Sequence, residues 1–239
     1  MVLRLTRKGR RAAGLMIATL VIGVITALVI AASAPPRQAG GPTAAVSPAA
    51  DPAKYVYLTF DDGPDPKYTP QILDILATYG AKATFFEVGE EVARHPELSR
   101  RVHLLGHSVQ NHTWSHPDLR TVSWASFKDQ IQTTDRYIQA QTGYTPRCLR
   151  PPYGSVNSLV SKRSASLGKD VVRWKIDSRD WARPGTAAVV RQVLDGARNG
   201  SVILMHDGGG DRSQTVAALP AILKTLKAKG YVFYPIWCR

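Results

Sequence analysis

The sequence predicts an α/β fold in which seven parallel strands alternate with helices and curl into a compact barrel. Short apolar runs alternate with amphipathic stretches from Tyr55 to the end of the chain, the pattern of parallel strands joined by helices. Seven such units occupy about 185 residues, which favours one compact array over two domains. Polar side chains follow five of the strands, and the strand ends of a parallel barrel share one face.

Each predicted strand is an apolar run bounded by turn residues, and each predicted helix has apolar side chains at helical spacing. In the first helix, Thr69 is a candidate N-cap, Pro70 stands at the first helical position and Gly80 follows the end. The predicted strands span 55–60, 83–89, 107–113, 147–154, 170–177, 201–207 and 231–236. The predicted helices span 68–80, 96–106, 124–143, 156–168, 186–200 and 213–230.

The N-terminal segment is predicted to lie outside this fold. Residues 1–13 hold five basic side chains and no acidic one, and an uncharged apolar stretch at 14–34 follows them. That stretch is long enough to cross a bilayer, and its basic flank predicts a cytoplasmic N-terminus. It is therefore either a transmembrane signal anchor or a signal peptide cleaved near "ASA" at 32–34. Both alternatives place the rest of the chain at the extracellular face, anchored in the membrane or secreted.

Residues 35–53 are mainly Pro, Gly, Ala and Ser, a composition typical of a linker, so the folded domain is expected at 54–239. The chain carries a net charge of +13, which favours anionic partners such as wall polymers. It has no zinc-finger spacing and no basic stripe interleaved with aromatic residues, so nucleic acid is not an expected partner. We expect a monomer.

The polar residues that follow the strands indicate a single functional cleft, because separate strand ends would bring acids, bases and metal ligands together. A polar residue after one strand could be chance. Polar residues after five separate strands are hard to explain by structural requirements alone. The residues are Asp61 and Asp62 after strand one, His112 and His116 after strand three, Arg150 and Tyr153 after strand four, Asp177, Asp180 and Trp181 after strand five, and His206 and Asp207 after strand six.

A metal site is the first chemistry that these residues suggest. His112 and His116 are four residues apart, so on one helical turn or a tight loop both imidazoles can bind one ion. Two histidines and one aspartate fill three positions of a zinc site and leave one open. Zinc is the expected divalent metal, and the same ligands also suit cobalt, nickel, iron or manganese.

The adjacent aspartates then have separate tasks. One binds the cation, and the other takes a proton from water that the metal activates. Successive strand side chains point to opposite faces, so the pair must lie where the strand breaks into "DGPDP". His206 is placed to act as a general acid, oriented by Asp180 or Asp177, and Arg150 can pair with the catalytic base.

These residues resemble the motifs of the polysaccharide deacetylase family, the NodB-homology domain of family 4 carbohydrate esterases. The five motifs occur in order as "TFDDGP" (59–64), "HTWSH" (112–116), "RPPYG" (150–154), "DSRDW" (177–181) and "LMHD" (204–207). The resemblance covers 55–236 and implies a distorted (β/α)7-type barrel. It also implies metal-dependent removal of acetyl groups from a polysaccharide.

The resemblance also implies a role for each motif residue. Asp61 matches the catalytic base, Arg150 the residue that tethers it, and His206 the general acid. Asp180 is the expected partner of His206, with Asp177 as the alternative. Asp62, His112 and His116 match the metal ligands. The backbone N–H of Tyr153 would stabilise the oxyanion, and Trp181 and Leu204 would line the acetyl pocket.

The predicted substrate is an N-acetylglucosamine polymer of the cell wall, peptidoglycan, with release of acetate. Alternatives within the family are a chitooligosaccharide deacetylase and an acetylxylan O-acetyl esterase. A non-catalytic wall-binding module is the alternative outside enzymes. Cys148 and Cys238 are the only cysteines, and outside the cell they either form a disulfide or remain two buried thiols.

Overall fold

Eight parallel strands form one curled sheet in the computed structural model, which describes residues 54–239. Their spatial order is β5-β4-β3-β2-β1-β7-β6, and β8 pairs with the start of β1. The strands are β1 (Lys54–Asp61), β2 (Ala83–Glu87), β3 (Ser108–Asn111), β4 (Cys148–Leu149), β5 (Asp170–Val171), β6 (Ile176–Asp177), β7 (Ser201–His206) and β8 (Tyr231–Phe233). This curled parallel sheet confirms the predicted α/β class.

Seven helices connect the strands and pack against the sheet. They are α1 (Tyr68–Thr78), α2 (Gly89–Arg94), α3 (Pro96–Leu104), α4 (Trp124–Thr142), α5 (Ser158–Ser166), α6 (Thr186–Gly196) and α7 (Ser213–Ala228). Short 3-10 turns at 152–154 and 180–182 follow β4 and β6. Within the described range, no helix is both long and apolar enough to cross a membrane. The predicted basic segment, membrane or signal helix and linker lie outside the described residues.

The two faces of β1 contact different parts of the molecule. Val56, Leu58 and Phe60 are buried in the main hydrophobic core, which includes side chains of α1, α6 and α7. Because strand side chains alternate, Thr59 and Asp61 point to the opposite face, the interior of the curled sheet. The alternation of apolar residues along β1 thus directs Asp61 into the interior of the curled sheet, which has the shape of a half-barrel.

The prediction of one strand over 170–177 is wrong. The structure has two strands of two residues each, β5 and β6, at opposite edges of the sheet. β5 pairs with β4 and β6 pairs with β7, so residues 172–175 cross from one edge to the other. Apolar alternation cannot distinguish this crossing from a continuous strand, because each short piece keeps extended backbone.

Several predicted element ends also differ from the structure. β2 ends at Glu87, and the short helix α2, which was not predicted, begins at Gly89. Thr69 lies inside α1 and does not cap it, since the Asp65 carboxylate accepts the N–H groups of Lys67 and Tyr68. β4 stops at Leu149, because Pro151 and Pro152 have no N–H to donate to a sheet.

The C-terminal tail crosses the N-terminal ends of the strands. The backbone N–H of Tyr234 donates to the carbonyl of Val56 (3.2 Å), and that of Ile236 donates to Oγ1 of Thr84 (2.7 Å). Cys238 is joined by a disulfide to Cys148 at the start of β4, with 5.2 Å between their Cα atoms. The tail therefore covers the end of the half-barrel opposite the polar strand ends.

Replacing Cys238 by Ser is expected to lower the free energy of unfolding by about 2–5 kcal/mol, because the bond constrains a long loop in the unfolded chain. The two cysteines are 90 residues apart in sequence. Guanidinium unfolding of the full-length chain measures the change, and adding a reductant to the wild type should reproduce it. Equal stability of the reduced, oxidised and substituted proteins would contradict the prediction.

Candidate active site

Asp61 and Asp62 reach the same cavity because the backbone turns between them. Asp61 is the last residue of β1, and Asp62 has a φ of 73°, in the left-handed region. Oδ2 of Asp61 lies 3.8 Å from Nε2 of His112, and Oδ1 of Asp62 lies 3.4 Å from the same nitrogen. The pair thus lies where the strand breaks, as the sequence predicts.

Gly209 permits the close approach of its backbone to Asp62. A Cβ on Gly209 (φ 71°) would be 2.6 Å from Oδ2 of Asp62.

Asp62, His112 and His116 form a candidate metal site. Their ligand atoms all lie within 4.8 Å of one another. Oδ1 of Asp62 is 3.4 Å from Nε2 of His112 and 3.3 Å from Nε2 of His116. Donor atoms about 2.1 Å from a tetrahedral zinc ion lie about 3.4 Å apart, so the observed spacing suits such an ion. The same Oδ1 is buried and accepts no hydrogen bond from any residue in the described part of the chain, as expected for an atom reserved for a cation.

The surroundings of the ligands also favour a cation. Nδ1 of His112 lies 2.6 Å from the carbonyl oxygen of Arg150, so it is the protonated nitrogen and Nε2 keeps its lone pair for a metal. Burial, and next the nearby His112, lower the pKa of His116, which favours the neutral imidazole that a metal ligand requires. Burial alone would raise the pKa of Asp62, but the adjacent imidazoles, chiefly that of His112, outweigh it and hold the pKa well below its usual range.

Arg150 holds the carboxylate of Asp61. Its side chain is 1% exposed, and Nη1 donates to Oδ1 of Asp61 (2.6 Å) and to Oγ1 of Thr59 (2.7 Å). The guanidinium carbon also lies 4.0 Å from the ring centre of Phe86. These contacts fix the direction of the Asp61 carboxylate, and the guanidinium compensates its charge away from water.

His206 is held by Asp180. Nδ1 of His206 lies 2.7 Å from Oδ1 of Asp180, and the backbone N–H of His206 donates to Oδ2 at 2.8 Å. Oδ2 also accepts from Oγ1 of Thr215 (2.7 Å). Burial alone would lower the pKa of His206, but the contacts with Asp180 outweigh burial and raise it. Asp177 instead accepts a hydrogen bond from the backbone N–H of Arg179 (2.8 Å), so Asp180 occupies the partner position.

A cavity of about 350 Å³ opens over these groups. Tyr153, Trp181 and Leu204, the predicted substrate residues, all line it. Tyr153 has a φ of 59° and is 69% exposed, and Trp181 is 50% exposed. The complete lining is Asp61, Asp62, His112, His116, Pro151, Tyr153, Gly154, Trp174, Asp177, Trp181, Leu204 and His206.

Three contributors to the site were not found from the sequence. Trp174 lines the cavity, but it falls in the crossing segment that the sequence presented as a strand. Thr59 could have been found, because period two places it on the same strand face as Asp61. Thr215 gives no sequence signal, because its contact with Asp180 depends on how α7 packs.

The architecture defines a class of protein before any comparison. A parallel half-barrel that places a carboxylate, an imidazole and three candidate metal ligands around one cavity indicates a hydrolase. A family profile described as polysaccharide deacetylase matches residues 49–172. The chain belongs to the polysaccharide deacetylase family, as its motifs predict, and is an enzyme of the deacetylase class.

Similar proteins include two curated relatives and one solved structure. A peptidoglycan-N-acetylglucosamine deacetylase of Bacillus cereus is 43% identical over 185 residues, covering 77% of this chain and 86% of the relative. A chitooligosaccharide deacetylase of Bradyrhizobium sp. is 42% identical over 193 residues, covering 76% and 88%. A crystal structure of a peptidoglycan N-acetylglucosamine deacetylase with 4-naphthalen-1-yl-N-oxidanyl-benzamide matches with a TM-score of 0.74 and 38% identity, covering 76% of this chain and 86% of that one.

Proposed function

We propose that this chain is a zinc-dependent hydrolase that removes N-acetyl groups from the N-acetylglucosamine residues of peptidoglycan and releases acetate. One observation carries the proposal. The candidate metal ligands, an arginine-held carboxylate and an aspartate-held imidazole line a single cavity. A binding module would need neither a proton acceptor nor a proton donor at that place, so the arrangement favours catalysis over wall binding alone.

Asp62, His112 and His116 would hold the ion and leave a coordination position open. A divalent ion bound there would polarise a carbonyl group and make water a stronger acid. Zinc suits the two imidazoles and one carboxylate, and cobalt, nickel, iron and manganese are the alternatives that the same ligands accept.

The side chains of the protein would then move the protons. Asp61, held by Arg150, takes a proton from the water that attacks the amide carbon. The backbone N–H of Tyr153 is the proposed donor to the oxyanion, and Trp181 and Leu204 would contact the acetyl methyl group. Asp180 accepts a hydrogen bond from Nδ1 of His206 and thereby directs Nε2 to the departing nitrogen. Nε2 of His206 then gives its proton to that nitrogen. The products are acetate and a free amine.

Similarity alone does not choose the polymer, because the relatives named for peptidoglycan and for chitooligosaccharides are almost equally identical. Residues 54–239 carry 25 basic and 17 acidic side chains, which favours an anionic wall polymer over neutral chitin. We further propose that 54–239 is the catalytic domain and acts outside the cell as a monomer. It would remain attached to the membrane if the helix proposed at 14–34 stays uncleaved.

The test is acetate release by the full-length chain from peptidoglycan, chitooligosaccharides and acetylxylan in parallel. We expect release from peptidoglycan that a chelator abolishes and zinc restores, with a recovery of about 10²-fold or more. Release mainly from chitooligosaccharides, or only from acetylxylan, would transfer the proposal to those alternatives. No release from any polymer by the folded, zinc-loaded chain would favour the wall-binding module.

A further inference from the structure

Helix α4 lies against the loop that carries both histidine ligands, residues 112–116, here called the histidine loop. Gln130 of α4 contacts the middle of this loop. Its Oε1 accepts the backbone N–H groups of Trp114 (2.8 Å) and Ser115 (2.9 Å), and its Nε2 donates to Oγ of Ser115 (3.0 Å). One side chain thus holds the two residues in front of His116.

A second set of contacts holds the start of the loop. The side-chain amide of Asn111 donates to Oδ1 of Asp135 (2.8 Å) and to the carbonyl of Ile131 (2.9 Å), both in α4. Its Oδ1 accepts the backbone N–H of Thr113 (2.8 Å), and Oγ1 of Thr113 accepts the N–H of His116 (3.1 Å). Hydrogen bonds therefore connect Asp135 to the backbone of a candidate metal ligand.

Asp135 is itself held in place by a buried cation. Nζ of Lys169, whose side chain is 2% exposed, lies 2.6 Å from Oδ2 of Asp135 and also contacts the carbonyl of Pro146. A buried ion pair with several hydrogen bonds gives the carboxylate one fixed position. Asp135 is thus a rigid acceptor for Asn111.

The histidine loop requires such support because its backbone is strained. Thr113 has a φ of 69° and His116 a φ of 58°, both in the left-handed region that residues with a β-carbon rarely adopt. Left-handed residues persist only where surrounding contacts impose them. The hydrogen bonds from α4 supply that constraint.

We propose that Gln130 and Asp135 are positioning residues for the candidate metal centre. They hold the histidine loop in the conformation in which His112 and His116 meet Asp62. The inference rests on the proposed metal-dependent function. Neither side chain lines the cavity, so their effect is on metal affinity and on the order of the loop rather than on the chemistry of the loaded site.

Zinc affinity of the full-length chain, measured by competition with a chromophoric chelator, tests Gln130. Gln130→Leu is expected to weaken zinc binding by about 10-fold or more, the usual effect of losing an outer partner of a ligand. Gln130→Glu keeps acceptor oxygens for both loop amides and should retain most of the affinity. The matched control is Gln132→Leu, which should bind zinc as the wild type does. Gln132 is exposed, lies two residues along α4, and its side chain has no hydrogen-bond partner among residues 54–239.

Amide hydrogen exchange of the metal-free chain is the second readout. The N–H groups of Trp114 and Ser115 should exchange faster in Gln130→Leu than in the wild type or Gln132→Leu, because their acceptor is gone. This readout separates the inference from the proposed function. A wild type that binds no zinc would overturn the proposed function, whereas exchange in the metal-free chain would still report whether Gln130 orders the loop.

Asp135 is tested by the double variant Asp135→Leu with Lys169→Met, which removes the ion pair without leaving one buried charge unpaired. It should also lose about 10-fold or more in zinc affinity. The inference is overturned if Gln130→Leu binds zinc within about twofold of the wild type and its loop amides exchange at the wild-type rate. A folded double variant that binds zinc with the wild-type affinity would overturn the role proposed for Asp135.

Discussion

Replacing Asp61 by Asn is expected to lower kcat for acetate release by about 10²–10⁴-fold, the contribution of a positioned general base. The amide has nearly the same shape but cannot take a proton. Zinc affinity should change little, because the candidate ligands are Asp62, His112 and His116. The measurement is steady-state acetate release at saturating zinc, together with the zinc titration.

Asp62→Asn is the matched variant on the neighbouring position. It should lose zinc affinity first and activity as a consequence, so excess zinc should restore part of its rate. Excess zinc should not restore Asp61→Asn. Asp61→Asn leaves the buried Arg150 without its carboxylate partner. Thermal unfolding of each variant must therefore show an intact fold before rates are compared. An Asp61→Asn enzyme within about tenfold of the wild-type rate would show that another group is the base.

Replacing His206 by Ala in the wild-type chain is expected to lower kcat on the amide substrate by about 10²–10⁴-fold. The departing amine needs a proton, whereas the leaving group of an ester such as 4-nitrophenyl acetate departs as a stable anion. The loss on that ester should therefore be much smaller. Equal losses on the amide and the ester would contradict a role for His206 as the acid.

Asp180→Asn tests how His206 is tuned. The contacts with Asp180 raise the pKa of His206, so the imidazole stays protonated, and active as an acid, to higher pH. Removing the negative charge should lower that pKa, and the alkaline limb of the pH–rate profile should move to lower pH. A limb that stays in place would assign the alkaline limb to another group.

The family motifs and the strand-end pattern predicted the acids and imidazoles that line the cavity, because both are local features of the sequence. Asp61 with Asp62, and His112 with His116, are neighbours in the chain, and each pair follows an apolar run whose period is readable. The same reading failed at 170–177, where two short strands at opposite edges of the sheet share one extended segment. Strand pairing is a contact between distant segments, and the local pattern of a segment does not record its partner.

Choices that the sequence left open are resolved by contacts between distant residues. The motif "DSRDW" offers Asp180 as the expected partner and Asp177 as the alternative, and only Asp180 reaches His206, 26 residues away. Cys148 and Cys238 could have been two thiols, and the path of the C-terminal tail across the strands joins them.

By itself the sequence determined the α/β class, the family, and the acids, imidazoles and candidate ligands at the strand ends, since periodicity and motif spacing are encoded locally. Only the tertiary structure decided which carboxylate holds His206, that Trp174 enters the cavity, and that α4 supports the histidine loop through Gln130 and Asp135. The physical reason is that these contacts depend on how helices and loops pack against the sheet, and a short polar side chain in a helix carries no sign of the loop that it will meet.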